Sequence, residues 1–169
     1  MGNAEVPGET QRERLERWVN TYSDAILRMC FVYLRDRQQA EDAMQDTFLK
    51  AWRHMARLTD PAGERAWLMR IAINTCHDYH RSRWFRHIDL RGEMEELAGS
   101  ASPEDHALLA DVYALPEKYK QVLLLYYYQE MTLEETAQSL RISRSAVHKR
   151  LVRARELLKG RLTGRDLDE

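Results

Sequence analysis

Hydrophobic residues in the first half of the chain recur every three or four positions, which is the period of one face of an α-helix. Pro61 and Gly63 interrupt this period, because neither residue type favours a helix interior. The pattern predicts three amphipathic helices that pack into one domain over residues 12–87. The predicted helices are residues 12–34, 39–57 and 64–83, and the second is expected to bury Ala40, Ala43, Met44, Phe48, Ala51, Trp52 and Met55.

The helical pattern dissolves over residues 88–104, where glycine, serine and proline stand among acidic residues. This composition predicts a flexible linker, with a weak helical turn at residues 93–98. Helical spacing returns over residues 105–113. Pro116 is then expected in the first turn of another helix, where its missing N–H costs no hydrogen bond, and that helix should continue close to Thr132.

The segment from residue 132 to residue 161 predicts a helix, a tight turn and a second helix. Thr132 and Glu135 have the T-x-x-E spacing of a capping box, in which each side chain accepts a hydrogen bond from the other residue's backbone N–H. Ser143 should cap the second helix, whereas Arg141 stands where such turns often have glycine. The second helix is expected to bury Val147, Leu151, Ala154 and Leu158.

The net charge of the whole chain is only −1, but the charges are segregated. Residues 141–161 contain eight lysines and arginines and a single glutamate, a surplus of +7 on the second predicted helix. In this motif such a surplus is typical of a surface that contacts DNA phosphates, while the N-terminal turn of the helix reaches base edges. A solvated basic face on a structural hairpin is the alternative interpretation. The residues nominated for DNA contacts are Ser143, Arg144, Ser145, His148, Lys149 and Arg153.

Composition favours an all-α fold with two small helical domains joined by a flexible linker, the C-terminal domain containing the helix-turn-helix. The 169 residues are 44% hydrophobic and 31% charged, with only four prolines and seven glycines. No stretch approaches the ~18 consecutive apolar residues of a membrane span, and the N-terminus lacks a signal-peptide core, so we expect a cytoplasmic protein without membrane insertion. The expected segments are a disordered N-terminus at 1–11, domains at 12–87 and 105–163, the linker at 88–104 between them, and a tail at 164–169.

Two cysteines, Cys30 and Cys76, lie far apart in helical patterns, so we expect buried thiols rather than a disulfide or a redox pair. Cys76, His77 and His80 suggest a metal site, because Cys76 and His80 are one helical turn apart. A stable zinc site usually has four protein ligands, which this cluster does not offer. We therefore expect no metal and no other cofactor.

Four motifs occur in order along the chain: AEDAMQDTFLKAW at residues 40–52, WLMRIAIN at 67–74, LPEKY at 115–119, and the helix-turn-helix. With the linker between the second and third motifs, the chain resembles a bacterial sigma factor of the extracytoplasmic-function (ECF) group of the sigma-70 family, with regions two and four only. The resemblance implies an alternative-type sigma factor, not an enzyme. Such a protein directs core RNA polymerase to the minus-thirty-five and minus-ten promoter elements of a stress or envelope regulon.

The resemblance also implies a polymerase-binding face on the second helix. In similar proteins this helix docks on the clamp helices of the largest polymerase subunit, and region four contacts the flap of the second-largest subunit. An ordinary solvated helix face explains the same polar residues, but an exposed Leu49 among acids suits a contact between helices. The residues of this face, away from the apolar stripe, are Glu41, Asp42, Gln45, Asp46, Leu49 and Lys50.

The third helix and the loop before it interleave cations, histidines and aromatic residues, as surfaces for single-stranded DNA do. The resemblance implies that this surface reads the minus-ten element and that the loop at residues 58–64 holds a flipped base. Asn74 matches the motif position beside that base, and its amide offers both a donor and an acceptor. A buried asparagine that bonds a backbone group is the alternative. The residues assigned to minus-ten DNA are Thr59, Asp60, Arg65, Arg70, Asn74, His77, Asp78, Arg81 and Arg83.

Residues 122–128 are too apolar for a single buried face; most should be core, but a surface covered by a partner has the same composition. ECF sigma factors are commonly held by a membrane-bound or soluble anti-sigma factor that wedges between the two domains, so the resemblance implies such a partner. Two other functions fit parts of the sequence. One is a free-standing helix-turn-helix regulator whose N-terminal half dimerises or binds a ligand, and the other is a metal-dependent helical enzyme that uses Cys76, His77 and His80.

Overall fold

The structure is a computed structural model that describes residues 8–82, 108 and 110–166. Every regular element in these residues is helical, which confirms the predicted all-α fold. Contacts divide the chain into two compact units, and the division falls between Leu97 and Ala98. The helical turn expected at residues 93–98 lies outside the described residues.

Helix α1 of the first unit spans Gln11–Leu34 and begins with a capping box that the prediction missed. The Thr10 hydroxyl accepts a hydrogen bond from the Glu13 N–H, and the Glu13 carboxylate accepts one from the Thr10 N–H at 2.8 Å. These bonds pair backbone donors that a helix start otherwise leaves unsatisfied. Thr10 and Gln11, which were predicted to belong to a disordered N-terminus at 1–11, are therefore held at the helix start, whereas residues 1–7 lie outside the described residues.

Helix α2 spans Arg37–Arg53, so it both starts and ends before the predicted bounds of 39–57. It starts early because the Asp36 carboxylate caps it, accepting a hydrogen bond from the Gln39 N–H at 3.0 Å. It ends early because the following residues tighten into a 3₁₀ turn at Met55–Arg57. The local capping chemistry, rather than the hydrophobic period, sets both ends.

Helix α3 spans Glu64–Ser82 and follows a second 3₁₀ turn at Pro61–Gly63. Trp52 was predicted to be buried, but its side chain is 41% exposed. The reason is its position directly after Ala51, which faces the core, because successive helical residues point about 100° apart. The largest fully buried side chains of the first unit are Trp18, Tyr33, Ile26, Met29, Leu68 and Met69.

A cluster of charged side chains, here the Arg17 cluster, joins the start of α1 to the start of α3. Arg17 donates to the Glu64 carboxylate at 2.8 and 2.9 Å and to the Glu9 carboxylate at 2.8 and 3.2 Å. Tyr22 donates to Glu64 at 3.1 Å, and the buried Arg14 lies 3.4 Å from Glu9. Because they are paired and hydrogen-bonded, Arg14 and Glu64 can be buried in a small domain, while Arg17 stays partly exposed.

Helix α4 of the second unit spans Glu117–Leu123 and continues as a π-helical turn at Leu124–Tyr128. Pro116 was expected within the first turn, but its extended ψ of 145° places it one residue earlier, at the N-cap. Helix α5 spans Leu133–Leu140, and α6 spans Arg144–Asp166. The last helix thus includes residues that were predicted to belong to the C-terminal tail.

The helix-turn-helix has the predicted caps. The Glu135 carboxylate accepts a hydrogen bond from the Thr132 N–H at 2.8 Å, and Ser143 Oγ accepts one from the Ala146 N–H at 3.0 Å. Arg141 ends α5 with φ 53° and ψ 45°, the left-handed conformation that favours glycine. The turn therefore has the expected shape but places a residue with a Cβ atom in a strained conformation.

Replacing Leu151 with alanine should lower the free energy of unfolding of the second unit by about 2–5 kcal/mol, because the side chain is only 1% exposed. Urea unfolding followed by circular dichroism measures this loss. The matched control is the neighbouring Val152→Ala, whose side chain is 41% exposed and which should have little effect. All four tryptophans precede residue 85, so tryptophan fluorescence should report an unchanged first unit. A shift of the urea midpoint measured by tryptophan fluorescence in Leu151→Ala would contradict the view that the two units have independent cores.

Replacing Arg141 with glycine should raise the free energy of unfolding by up to about 1 kcal/mol, because glycine adopts φ 53° without steric strain. The control variant Arg141→Ala removes the same charge but keeps the Cβ atom, so it should not stabilise the protein. Urea midpoints of the two variants provide the comparison. Equal stabilities would mean that the backbone at this position is not strained.

Candidate nucleic-acid interface

The two faces of α6 differ sharply in burial. Val147 and Ala154 have no exposed surface and Leu151 is nearly buried, which confirms most of the predicted inner stripe; Leu158 is half-buried. All six residues nominated for DNA contacts are exposed at the start of the same helix: Ser143, Arg144, Ser145, His148, Lys149 and Arg153. The buried stripe therefore sets the rotation of α6 and turns the nominated side chains to solvent.

Two of these arginines make ion pairs that solvent reaches freely. Arg144 lies 3.6 Å from Glu134 of α5, and Arg153 lies 3.1 Å from Glu156. All four side chains are more than half exposed, and exposed pairs of this kind contribute ~0–1 kcal/mol. Exchanging either carboxylate for a DNA phosphate would therefore cost little. An open recess next to these residues is lined by Glu134, Ala137, Gln138, Arg141, Ile142, Ser143, Arg144 and Ser145.

Helix α3 presents Asn74 to solvent, which rules out the alternative of a buried structural asparagine. Cys76 of the same helix has no exposed surface, as predicted for a thiol that packs inward. His77 is half-buried, and its ring packs edge-on against that of the buried Tyr33 at 5.8 Å. Asp78 is exposed on the turn after Asn74. Asn74 is thus the member of the WLMRIAIN motif that is open to a base.

The other described residues assigned to minus-ten DNA differ in exposure. Thr59 and Asp60 are exposed in the loop, where the Asp60 carboxylate accepts a hydrogen bond from the Ala62 N–H at 3.0 Å. Arg65 and Arg70 are half-buried. Arg83 and the side chain of Arg81 lie outside the described residues.

Helix α2 orients the predicted polymerase-binding residues in two directions. Leu49 and Gln45 are exposed, and Leu49 has 53% of its surface open to solvent. Asp46 instead faces α3, where it accepts a hydrogen bond from the Tyr79 hydroxyl at 2.6 Å. Glu41 and Asp42 are half-buried, in the first turns of the helix.

Lys50 also points toward α3, since its Nζ atom lies 3.1 Å from Thr75 Oγ1 and 3.3 Å from the Asp78 carboxylate. Burial and the hydrogen bond to Asp46 raise the pKa of Tyr79. The phenol therefore keeps its proton and donates it in the hydrogen bond to Asp46. These contacts differ from the expectation that all six residues point away from the packed side of α2. These hydrogen bonds join residues that are 25 or more positions apart in sequence, so the local sequence pattern gives no sign of them.

Each unit has an exposed apolar surface; sequence reasoning missed the part contributed by Trp52 in the first unit but raised the one at residues 122–128 in the second. In the first unit, the exposed Trp52 extends the surface of Leu49 along α2. In the second unit, Tyr127 and Tyr128 are 52% and 40% exposed, and Arg155 donates a hydrogen bond to the Tyr127 hydroxyl at 2.6 Å. The apolar run at residues 122–128 was the available signal. The groove here measures about 380 Å³ and is lined by Leu108, Val112, Leu123, Leu124, Tyr127, Tyr128, Arg155 and Leu158.

Neither a metal cluster nor a membrane-spanning helix occurs in the part of the chain that the structure describes. No group of three or more histidine, cysteine, aspartate or glutamate side chains is suited to hold a metal ion there. No helix in the same residues is long and apolar enough to cross a membrane.

Each of the two units matches a known protein family. Residues 18–86 match Sigma-70 region 2, and residues 112–158 match Sigma-70, region 4. The first match contains α2, α3 and the loop between them. The second contains α5, most of α6 and every residue that lines the apolar groove except Leu108.

Curated relatives agree with these matches. The ECF RNA polymerase sigma factor SigM of Bacillus subtilis is 30% identical over 146 residues, which cover 82% of this chain and 88% of that protein. A probable RNA polymerase sigma factor, RfaY of Xanthomonas campestris pv. campestris, is 34% identical over 163 residues. That alignment covers 88% of this chain but only 40% of the longer relative.

Solved structures have the same fold. CnrH, in a complex with the cytosolic domain of CnrY, superposes with a TM-score of 0.72 at 28% identity, covering 92% of this chain and 90% of that chain. The sigma factor RpoE of Bartonella quintana, in a complex with the anti-sigma factor NepR, has a TM-score of 0.68 at 19% identity and covers 89% of this chain and 98% of that chain. The second likeness concerns the fold alone.

Both family matches, the 30% identity to an ECF sigma factor and the shared fold agree with the motifs in the sequence. Sigma factors of this family are transcription initiation factors rather than enzymes; they bind core RNA polymerase and promoter DNA and act in the cytoplasm with the polymerase. The chain belongs to the sigma-70 family of RNA polymerase sigma factors, in its extracytoplasmic-function group.

Proposed function

We propose that α6 reads the minus-thirty-five element as duplex DNA, that α3 and its preceding loop read the minus-ten element as single-stranded DNA, and that α2 docks on core polymerase. The observation that carries this proposal is the two-sided burial of α6. Its inner stripe is buried, while the six nominated residues are exposed within the first turns of the helix. A helix with this arrangement enters a major groove with its N-terminal end at the base edges.

The minus-thirty-five contacts divide by chemistry. Arg144, His148 and Lys149 project from the N-terminal turns of α6 and offer donors to base edges. Arg153 lies a turn further along, nearer the expected path of the phosphate backbone. The caps at the starts of α5 and α6 fix where the two helices begin, because side chains accept hydrogen bonds from the Glu135 and Ala146 N–H groups.

The second DNA contact of the proposal is the surface formed by α3 and its loop. Asn74 is exposed, and its amide has both a donor and an acceptor for an unpaired base. Thr59 and Asp60 are exposed in the loop that precedes the helix, within reach of the same strand. A sigma factor that holds an unpaired minus-ten base here stabilises the melted promoter.

The polymerase contacts of the proposal are apolar surfaces with polar surroundings. Leu49 and Trp52 form an exposed apolar strip on α2, beside the acidic residues Glu41 and Asp42, and this composition suits a contact with the clamp helices. The groove of the second unit, which has Arg155 at its edge, suits the flap of the second-largest subunit. Bound in this way, the protein is associated with the nucleoid.

The proposal includes control by an anti-sigma factor, membrane-bound or soluble, and a stress or envelope regulon. Its support is the similarity to ECF sigma factors and the exposed Tyr127 and Tyr128, whose apolar surface such a partner would cover. The charge balance suggests that DNA binding by the second unit also depends on the polymerase. Residues 141–161 have a surplus of +7, but residues 105–169 contain eleven basic and ten acidic residues, so the second unit alone should hold DNA weakly.

Replacing Lys149 with alanine should weaken transcription from promoters with the preferred minus-thirty-five sequence by about 1–3 kcal/mol in apparent binding free energy, because a base contact is lost. Run-off transcription by reconstituted holoenzyme over a randomised minus-thirty-five library measures the change. The control is Lys159→Ala, which removes an equally exposed lysine nearly three turns further along α6. Uniform weakening across the library would make Lys149 a phosphate contact, and no change in either selectivity or salt dependence would remove it from the interface.

Replacing Asn74 with alanine should impair opening at the minus-ten element by roughly 10-fold or more, because a bidentate base contact contributes about 1–3 kcal/mol. Affinity for core polymerase should stay unchanged, since Asn74 is exposed on α3 rather than on the apolar strip of α2. Permanganate footprinting of the melted promoter and a polymerase binding titration separate the two effects. Loss of polymerase binding in this variant would instead identify Asn74 as a structural residue.

A further inference from the structure

The junction between the minus-ten loop and α3 contains a buried charge. Glu64 is the first residue of α3 and directly follows the 3₁₀ turn at Pro61–Gly63. Its side chain is only 9% exposed. A carboxylate at the first turn of a helix is favoured by the helix dipole, but that interaction does not require burial.

Glu64 is held from α1 by a paired contact. Arg17 donates to the two carboxylate oxygens at 2.8 and 2.9 Å, in the two-pronged geometry that fixes both distance and orientation. Tyr22 adds a third hydrogen bond at 3.1 Å. Burial is the largest single influence and raises the pKa of Glu64, but the hydrogen bonds and charge of Arg17, with further donors from α1, together place that pKa below its ordinary value. The carboxylate is therefore ionised at neutral pH, and it is oriented by three donors.

The loop itself has few other polar ties. Asp60 caps the Ala62 N–H at 3.0 Å and its carbonyl accepts from the Gly63 N–H at 3.0 Å, so both bonds stay within the loop. The Glu64 N–H donates to the Pro61 carbonyl, so this backbone bond also joins only the loop and the first residue of α3. Leu58, which is 5% exposed, anchors the other end by packing. Glu64 is thus the polar attachment at the end where the loop enters the reading helix.

We propose that Glu64, gripped by Arg17, is a positioning residue that fixes the exit of the loop at residues 59–63 against α1, so that the loop and Asn74 meet the same unpaired minus-ten base. This inference rests on the proposed role of the loop and α3 in minus-ten recognition. A buried ion pair adds little net stability over an apolar pair of the same shape, but it constrains geometry wherever its partners are rigid. Here both partners lie on helices that the core holds in place.

The test compares Glu64→Gln with Glu9→Gln in reconstituted holoenzyme. Both substitutions remove one carboxylate from the same Arg17, but only Glu64 is continuous in the chain with the loop, whereas Glu9 lies before α1. On a promoter that the wild-type holoenzyme transcribes, with 2-aminopurine in the minus-ten element, Glu64→Gln should slow opening at least 10-fold. The opening rate of Glu9→Gln should stay within about twofold of the wild-type rate. Binding to core polymerase should be unchanged in both.

Stability is measured in parallel, because a merely structural cluster would affect both variants alike. Thermal unfolding followed by tryptophan fluorescence reports the first unit, and opening is assayed well below both midpoints. If Glu64→Gln does not fold, Arg17→Lys keeps the charge but loses the two-pronged grip, and it should give the same opening defect. Equal opening rates for Glu64→Gln and Glu9→Gln would overturn the inference.

Asn74→Ala separates this inference from the proposed function. A defect in opening with Asn74→Ala but not with Glu64→Gln overturns the positioning role and leaves the minus-ten assignment standing. Normal opening with both variants overturns the minus-ten assignment itself. A defect with both variants, and none with Glu9→Gln, supports the inference.

Discussion

The rotation of each helix about its own axis is the constraint on which both units depend. A single buried stripe sets that rotation, and small residues in the stripe bring the neighbouring helix close. In α2 these are Ala40, Ala43 and Ala51, and in α6 the equivalent is Ala154, all without exposed surface. Once one side of a helix packs in the core, the helical period determines which side chains lie on the opposite side. The exposed DNA-facing end of α6 and the exposed Leu49 of α2 follow from burial on the opposite side.

The helical period and the capping chemistry explain how much of this was readable from sequence. The helix-turn-helix, its Thr132–Glu135 box and its buried stripe were predicted, because each is set by residues within a few positions of one another. Trp52 was misplaced, since hydrophobic character alone does not distinguish the residue at the edge of a stripe from one inside it. The Arg17–Glu64 contact joins residues 47 positions apart, and the Asp46–Tyr79 bond joins residues 33 apart. No local pattern encodes either contact, so neither could be predicted.

The charged groups next to the loop before α3 and those at the start of α6 have opposite environments. Arg17, Glu64 and Glu9 are largely enclosed and satisfied by several hydrogen bonds, so removing one partner leaves a charge without its counterpart. Arg144 and Glu134 are open to solvent and hold each other weakly. The enclosed charges define shape at the loop, whereas the open charges remain exchangeable for a polyanion. The same residue types therefore serve geometry next to the loop and exchange at the start of α6.

The ties between α2 and α3 have an evolutionary consequence. Asp46 and Lys50 of α2 are bonded to Tyr79, Thr75 and Asp78 of α3. A substitution at one end of such a tie removes a partner from the other helix, and the second helix must change to restore it. Substitutions on the surface of one helix therefore favour compensating substitutions on the other. With the roles proposed above for α2 and α3, polymerase affinity and promoter preference would diversify as a linked pair of traits rather than as two independent ones.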